Sequence, residues 1–186
     1  MMSLKKKILM GVGAVLLIIV GYIGYIMFAT RSHSPADEVT YQQEGLSFQI
    51  DYCKPYKKER LIFGTIEEGA LLPFGKYWRL GANDATKLTL ETDIDFGGQE
   101  LSKGSYSLYA FPEADYWVIG INSEADRSGA SPADFSQDVG RIKVPVIEDS
   151  KPMEQFTISV EESGSEVFVV MQWDRTQVRV PVSASY

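Results

Sequence analysis

Apolar and polar residues alternate along most of the chain after residue 45. Leu46, Phe48 and Ile50 form the first such run. The same period of two recurs at Leu88 and Leu90, Tyr106 and Leu108, Trp117 and Ile119, Ile142 and Val144, Val167 and Val169, and Val178 and Val180. Because successive side chains of a strand point to opposite faces, each run predicts a strand with one buried face. About nine such strands, separated by hairpin signals, predict an all-β fold: a jelly-roll-like antiparallel β-sandwich.

The N-terminal part has a different pattern. Lys5, Lys6 and Lys7 precede an uncharged run at 8–29 that contains no proline. As a helix these residues span ~33 Å, against a bilayer core of about 30 Å. The run therefore predicts a transmembrane signal anchor in preference to a cleaved signal peptide, whose apolar stretch is shorter and ends in small residues.

The lysines set the expected orientation of this anchor. The positive-inside bias keeps a basic tip at 1–7 in the cytoplasm and places the C-terminal part on the periplasmic side of the inner membrane. Polar residues at 30–45 predict a flexible tether, and a folded domain is expected at 46–186. Within that domain, residues 122–138 lack apolar periodicity and predict a long loop.

The stretch at 72–86, LPFGKYWRLGANDAT, concentrates turn formers and polar side chains. It predicts a hairpin with a small-residue tip between strands that carry Trp78 and Leu88. In one interpretation Trp78 anchors the core and Arg79 pairs with Asp84 to hold the loop. In the other, Trp78, Arg79, Asn83 and Asp84 line a ligand site, with the guanidinium as an anion fork.

Arg60 is a further candidate ligand-binding residue. It lies close in sequence to Tyr52 and Tyr56, and its guanidinium could stack on their rings as part of a ligand site. In the other interpretation, Arg60 forms a structural ion pair with one of the many acidic residues. Both interpretations of Arg60 remain open at this point.

Two segments resemble the signature of an uncharacterised bacterial family, domain of unknown function 2911. These are YCKPYKKERLIFG at 52–64 and the stretch at 72–86. The similarity continues through Gly98, Tyr106 and Trp117 and covers about 46–146. Glu59 departs from the pattern, which has a small residue there. Membership implies a compact extracytoplasmic domain and no known reaction.

Charge and rare residues narrow the function classes. Residues 32–186 carry 14 lysines and arginines against 25 aspartates and glutamates, a net charge of −11. Such an acidic domain argues against nucleic acid as a partner. Cys53, the only cysteine, predicts a small buried hydrophobe, and the only histidine, His33, lies in the tether. Asp93 and Asp95 give only weak support for Ca²⁺, so no metal or cofactor is predicted.

Three function classes follow from these features. The leading hypothesis is a non-catalytic binding or scaffold module of the cell envelope, which takes a small ligand or another envelope protein. The second is a hydrolase in which Asp84 works with another acid, such as Asp51 or Asp93. The third is an accessory subunit of a membrane complex, which uses both the helix and the domain as contact surfaces.

Overall fold

The computed structural model describes residues 3–43 and 45–185. Met1, Met2, Glu44 and Tyr186, which belong to the predicted tip, tether and domain, lie outside the described residues. The chain forms two compact units, 1–33 and 34–186. The first contains α1, Leu4–Ser32, whose described apolar side chains, from Met10 to Ile26, are mostly exposed. No helix in the described ranges combines the length and the apolar character that a membrane crossing requires.

The second unit is built from strands. They are β1 Ala36–Gln43, β2 Leu46–Cys53, β3 Phe63–Gly64, β4 Leu72–Pro73, β5 Thr86–Leu90, β6 Ile94–Phe96, β7 Gln99–Leu101, β8 Gly104–Pro112, β9 Tyr116–Asn122, β10 Asp138–Ser163 and β11 Glu166–Ala184. Nine of them form one antiparallel sheet in the order β1-β2-β5-β8-β9-β10-β11-β6-β7, and β3 pairs with β4 in parallel. The β-rich, mainly antiparallel architecture is thus as predicted.

Residues assigned to the flexible tether instead form β1. Eight consecutive residues of β1 pair with β2 without a break in register. Val39 and Tyr41 pack against the core, and the Lys54 N–H donates to the Pro35 carbonyl at 2.8 Å. The tether prediction is therefore wrong for 36–43, because the alternation of Val39 and Tyr41 is a short strand signal within a polar segment.

Two segments with turn-forming residues, which favour turns by sequence, lie inside long strands. The segment at 148–152 is part of β10, where the register to β11 shifts between Glu148 and Met153 and again before Thr157. The segment at 174–176 is part of β11, where Asp174 takes φ 52°. Irregular pairing of this kind bends a strand without ending it, so the Pro152 and Asp174 signals mark bends in continuous strands.

The predicted hairpin around 81–85 does not form. Trp78 makes an isolated bridge to Ala110 of β8, and β5 pairs with β2 and β8. Trp78 itself is 4 % exposed and lies in an aromatic cluster with the other two tryptophans. Its ring centroid is 5.4 Å from that of Trp117 and 5.9 Å from that of Trp173. Trp78 is therefore a core anchor, and this cluster fixes where the turn at 79–85 begins.

Candidate functional site

The turn after Trp78 is strained and internally bonded. Leu80 is fully buried, yet its φ is 55°, a conformation that bulky residues rarely adopt. The Thr86 hydroxyl donates to the Leu80 carbonyl at 2.5 Å, and the Trp78 indole N–H donates to the Gly81 carbonyl at 3.1 Å. At Gly81, φ is 149° and an added Cβ would lie 3.0 Å from the Cys53 carbonyl oxygen. Glycine therefore lets the turn approach the end of β2.

Arg79 and Asn83 also hold this turn. Arg79 donates from a terminal guanidinium nitrogen to the Asn83 carbonyl at 3.3 Å. None of the ion pairs found among the described residues joins Arg79 to Asp84, as one interpretation of the sequence had expected. Asn83 takes φ 59° and donates its amide to the Ser34 carbonyl at 3.3 Å. The two side chains thus tie the turn to itself and to the chain before β1, so a structural role for Arg79 is observed with a different partner.

Asp84 lies at a cleft. Its side chain is exposed, and it lines a space of about 450 Å³ between β1, β2 and the turn. The cleft is also lined by Ala36, Asp37, Glu38, Asp51, Tyr52, Cys53 and Ala85. With Asp84 included, four lining residues carry a carboxylate, and they come from three separate segments of the chain. Such convergence of polar groups around a cavity of this size is typical of ligand sites.

Only one of the four carboxylates has an ionic partner among the described residues. The Lys54 ammonium lies 3.0 Å from Asp37, while Lys87, which faces Asp51 across the β2–β5 ladder, pairs with Asp126 at 2.6 Å. Asp51 accepts only from the Gln49 amide in its own strand, at 2.9 Å. The cleft therefore keeps a surplus of negative charge, which favours a cationic ligand.

Asp37 and Tyr52 form the inner wall of the cleft. The Tyr52 hydroxyl donates to Asp37 at 3.1 Å and also accepts from the Ile158 N–H at 2.9 Å. Burial raises the pKa of Asp37, but hydrogen bonds from Lys54, the Glu38 N–H and Tyr52 outweigh burial and leave that pKa below its ordinary value. Burial also raises the pKa of Tyr52. At neutral pH this wall therefore carries an ionised carboxylate and a neutral phenol.

The structure brings together four of the five predicted site residues and leaves Arg60 apart. Arg60 donates to the Lys57 carbonyl at 2.9 Å and to the Tyr56 carbonyl, and so closes the turn in which Lys58 and Glu59 have positive φ. It does not line the acidic cleft. Of the other four, only Asp84 faces that cleft, since the hydrogen bonds of Trp78, Arg79 and Asn83 stay within the turn and its neighbouring backbone.

The structure adds lining residues that sequence reasoning missed. Asp37 and Glu38 were assigned to the tether, and only recognition of β1 would have placed them beside β2. Tyr52 and Cys53 open the first family segment, which marks them as notable without giving them a role. Cys53 is buried and free, as its apolar interpretation predicts. No group of three or more described His, Cys, Asp or Glu side chains is arranged to hold a metal ion.

The long loop predicted at 122–138 is present and carries a second polar network. The Asp138 carboxylate accepts from the Tyr109 hydroxyl at 2.5 Å, from Asn122 at 2.9 Å and from the Arg141 guanidinium at 2.8 Å. Tyr109 is fully buried, and burial together with the bond to Asp138 raises its pKa. Phe135 covers this network, and its ring centroid is 5.5 Å from that of Tyr109. These contacts fix the loop on the sheet.

The fold and the cleft define a class: a mostly antiparallel β domain that follows an N-terminal helix and has an acidic cleft beside its first two strands. The chain belongs to the family described as "Protein of unknown function (DUF2911)", whose family model matches residues 34–182. The match confirms the family resemblance and extends it over β1 and most of β11. A search of curated proteins and a search of solved structures each found no match.

Proposed function

We propose that this domain is a non-catalytic binding module whose acidic cleft takes a cationic group, such as the amine of an envelope peptide or amino sugar. The observation that carries the proposal is the convergence of Asp37, Glu38, Asp51 and Asp84 on one cleft of about 450 Å³. A ligand ammonium 4 Å from one exposed carboxylate gains about 1 kcal/mol in water, so several carboxylates together give measurable affinity.

The strained turn supports this proposal. Backbone strain at Leu80 and Asn83 costs free energy and positions the residue that follows, Asp84, at the cleft. Trp78, Thr86 and Asn83 use their polar atoms to hold that geometry. The family stretch therefore serves the site as a support for Asp84, and the tryptophan itself is not the ligand platform.

Binding of trilysine amide to the full-length chain tests the proposal. Asp84→Asn should weaken binding about fivefold, the equivalent of the roughly 1 kcal/mol lost with one carboxylate. Glu100→Gln, which removes the same charge from β7, should leave the dissociation constant unchanged. Absence of saturable binding, or equal weakening by both variants, would contradict the proposal. Neutral, acetylated trilysine serves as the ligand control.

A carboxylate-dependent hydrolase acting on envelope carbohydrate or peptide is the alternative. The specific observation in its favour is that Asp51 and Asp84 line the same cleft, as a pair of acid and base residues would. Asp93 does not line that cleft, and its carboxylate accepts from the Lys103 N–H at 2.6 Å. Hydrolysis of an envelope polymer that is abolished by both Asp51→Asn and Asp84→Asn would replace the binding proposal.

We also propose three wider features from the sequence. Residues 8–29 anchor the chain in the inner membrane with the domain on its periplasmic side, and an envelope protein is a further partner. Complete release of the full-length chain from membranes by alkaline carbonate would contradict the anchor.

The sheet is further proposed to fold as a jelly-roll-like sandwich, because strands far apart in the sheet order, such as β2 and β11, contribute to one core.

A further inference from the structure

Within the part of the chain that the structure describes, β1 has one edge without a ladder partner. β1 is the first strand of the sheet order, and its ladder partner is β2 alone. Exposed edges in natural proteins are commonly protected by proline, lysine, a bulge or short length. The sequence of β1, ADEVTYQQ, contains no proline or lysine, and its eight register pairs are uninterrupted. Its two charged residues, Asp37 and Glu38, are both acidic, so they repel an acidic strand and not a basic one. An edge of this kind is a template for another strand.

A groove lies beside this edge, on the side of β10. It is a shallow groove of about 480 Å³, lined by Glu38, Val39, Thr40, Tyr41, Ile158, Ser159, Val160 and Glu162. Val39, Tyr41 and Val160 are half-buried and pack against the core, so the base of the groove is apolar. Apolar side chains at alternate positions of an added strand would find their contacts here.

The rim of the groove is acidic. Glu38 and Glu162 have no ionic partner among the residues that the structure describes, whereas the neighbouring Glu161 pairs with Arg179 at 3.2 Å. Glu162 accepts from the Tyr41 hydroxyl at 3.1 Å and from the Gln43 amide at 2.7 Å, which holds its carboxylate beside the end of β1. This charge disfavours a second, equally acidic copy of β1 and favours a basic strand.

We propose that the β1 edge is a docking site for an extended segment of a partner protein in which basic and apolar residues alternate. The segment adds a strand to the sheet through backbone hydrogen bonds with β1. Its apolar side chains face Val39 and Val160 in the groove, and its alternate lysines or arginines lie on the opposite face with Glu38. A further basic residue at one end of the apolar face reaches Glu162, which lies beside Tyr41 and Gln43. This surface adjoins the acidic cleft and shares Glu38 with it.

The test uses the full-length chain in mild non-ionic detergent and an acetylated eight-residue peptide in which lysine and valine alternate up to a final pair of lysines, so that the last lysine lies on the valine face and can reach Glu162. Binding should be saturable and should slow hydrogen exchange of β1 amides at least tenfold. A peptide of the same sequence that is N-methylated at alternate residues keeps the charge but loses backbone donors. It should bind at least tenfold more weakly, because strand addition depends on those donors.

Variants separate this surface from the cleft. Glu162→Gln should weaken the lysine–valine peptide about fivefold, whereas Glu100→Gln, on β7 at the opposite end of the sheet order and outside the groove, should not. Asp84→Asn should weaken trilysine but should leave the protection of β1 amides by the lysine–valine peptide unchanged. Equal binding of the N-methylated peptide, loss of binding in Asp84→Asn alone, or β1 protection that requires a second copy of the chain would each overturn the inference.

Discussion

At the residue scale, Leu80 shows how the chain maintains a costly conformation. A non-glycine residue held at positive φ costs on the order of 1–3 kcal/mol and persists only where its surroundings impose it. Leu80 has φ 55° and is fully buried, and the Thr86 hydroxyl satisfies its carbonyl. One hydroxyl group therefore supports the backbone that presents Asp84.

Thr86→Val tests this support. Valine keeps the shape of threonine but leaves the buried Leu80 carbonyl without its donor, so the free energy of unfolding should fall by about 1–3 kcal/mol. Chemical denaturation measures the change. Thr89→Val on the same strand is the matched control. The Thr89 hydroxyl is half-buried, and its one contact, with the Ser105 hydroxyl, is long at 3.4 Å, so its loss should cost less. Equal losses in the two variants would contradict the account.

Residue types indicated this region as a candidate site but not how its members divide their roles. The sequence suggested one group, because four polar or aromatic residues lie close together in it: Trp78, Arg79, Asn83 and Asp84. Positive φ at Leu80 and Asn83 turns only Asp84 toward the cleft, and no local pattern reports such a backbone reversal. Glu59 is similar: a glutamate there argues against a tight turn, yet the structure gives its φ as 58°. Residue propensity alone therefore conceals this left-handed position.

At the element scale, the loop between β9 and β10 depends on one carboxylate. Asp138 accepts hydrogen bonds from Tyr109, Asn122 and Arg141, which lie on three different strands. Arg127, which lies in the loop, donates from its guanidinium to the Ser107 hydroxyl at 3.3 Å and to the Tyr77 hydroxyl. A loop of this length stays ordered because its polar groups are satisfied on the sheet beneath it.

Asp138→Ala should release this loop. The substitution leaves the buried Tyr109 hydroxyl unsatisfied, so the free energy of unfolding should fall by about 1–3 kcal/mol and amides at 123–137 should exchange faster. Asp126→Ala is the control in the same loop. Asp126 is 82 % exposed in its pair with Lys87, so its loss should change stability by less than about 1 kcal/mol. Unchanged exchange in the Asp138 variant would refute the role of the network.

Hydrophobic periodicity predicted the central strands well and the edge strand β1 poorly. Runs such as Leu88 and Leu90 alternate within buried surroundings, so their pattern is complete. β1 is an edge strand with exposed alternate positions, and its polar composition resembles that of a tether. Long-range pairing also decides that β10 and β11 continue through proline and aspartate, because each strand is held by a partner that local sequence does not specify.

At the scale of the whole molecule, acid should weaken the fold. The pKa values of Asp37, Glu68 and Asp134 all lie below their ordinary values in the folded chain. For Asp37, burial opposes the shift and hydrogen bonds from Lys54 and its neighbours outweigh it; for Glu68 and Asp134, hydrogen bonds from Thr65 and Ser136 dominate. Folded carboxyls with lowered pKa bind fewer protons than unfolded ones, so their stabilisation is present at neutral pH.

The free energy of unfolding should therefore fall as the pH drops below about 4, through the folded pKa values of these carboxyls. Denaturation with urea at a series of pH values measures this. Asp37→Asn should flatten part of the acid decline, because its side chain no longer titrates, while Glu100→Gln should not. Stability that rises on acidification over the same range would contradict the assigned direction of these shifts.

The cleft joins all three scales, because a strained turn, an edge strand and the acidic charge of the domain meet there. Backbone amide NMR of the full-length chain, titrated with trilysine amide, is the sharpest test of ligand binding at this cleft. We expect saturable shift changes concentrated at residues 36–38, 51–53 and 84–85, and their loss in Asp84→Asn. Changes spread evenly over the acidic surface, or centred on another part of the domain, would show that the cleft is not the binding site.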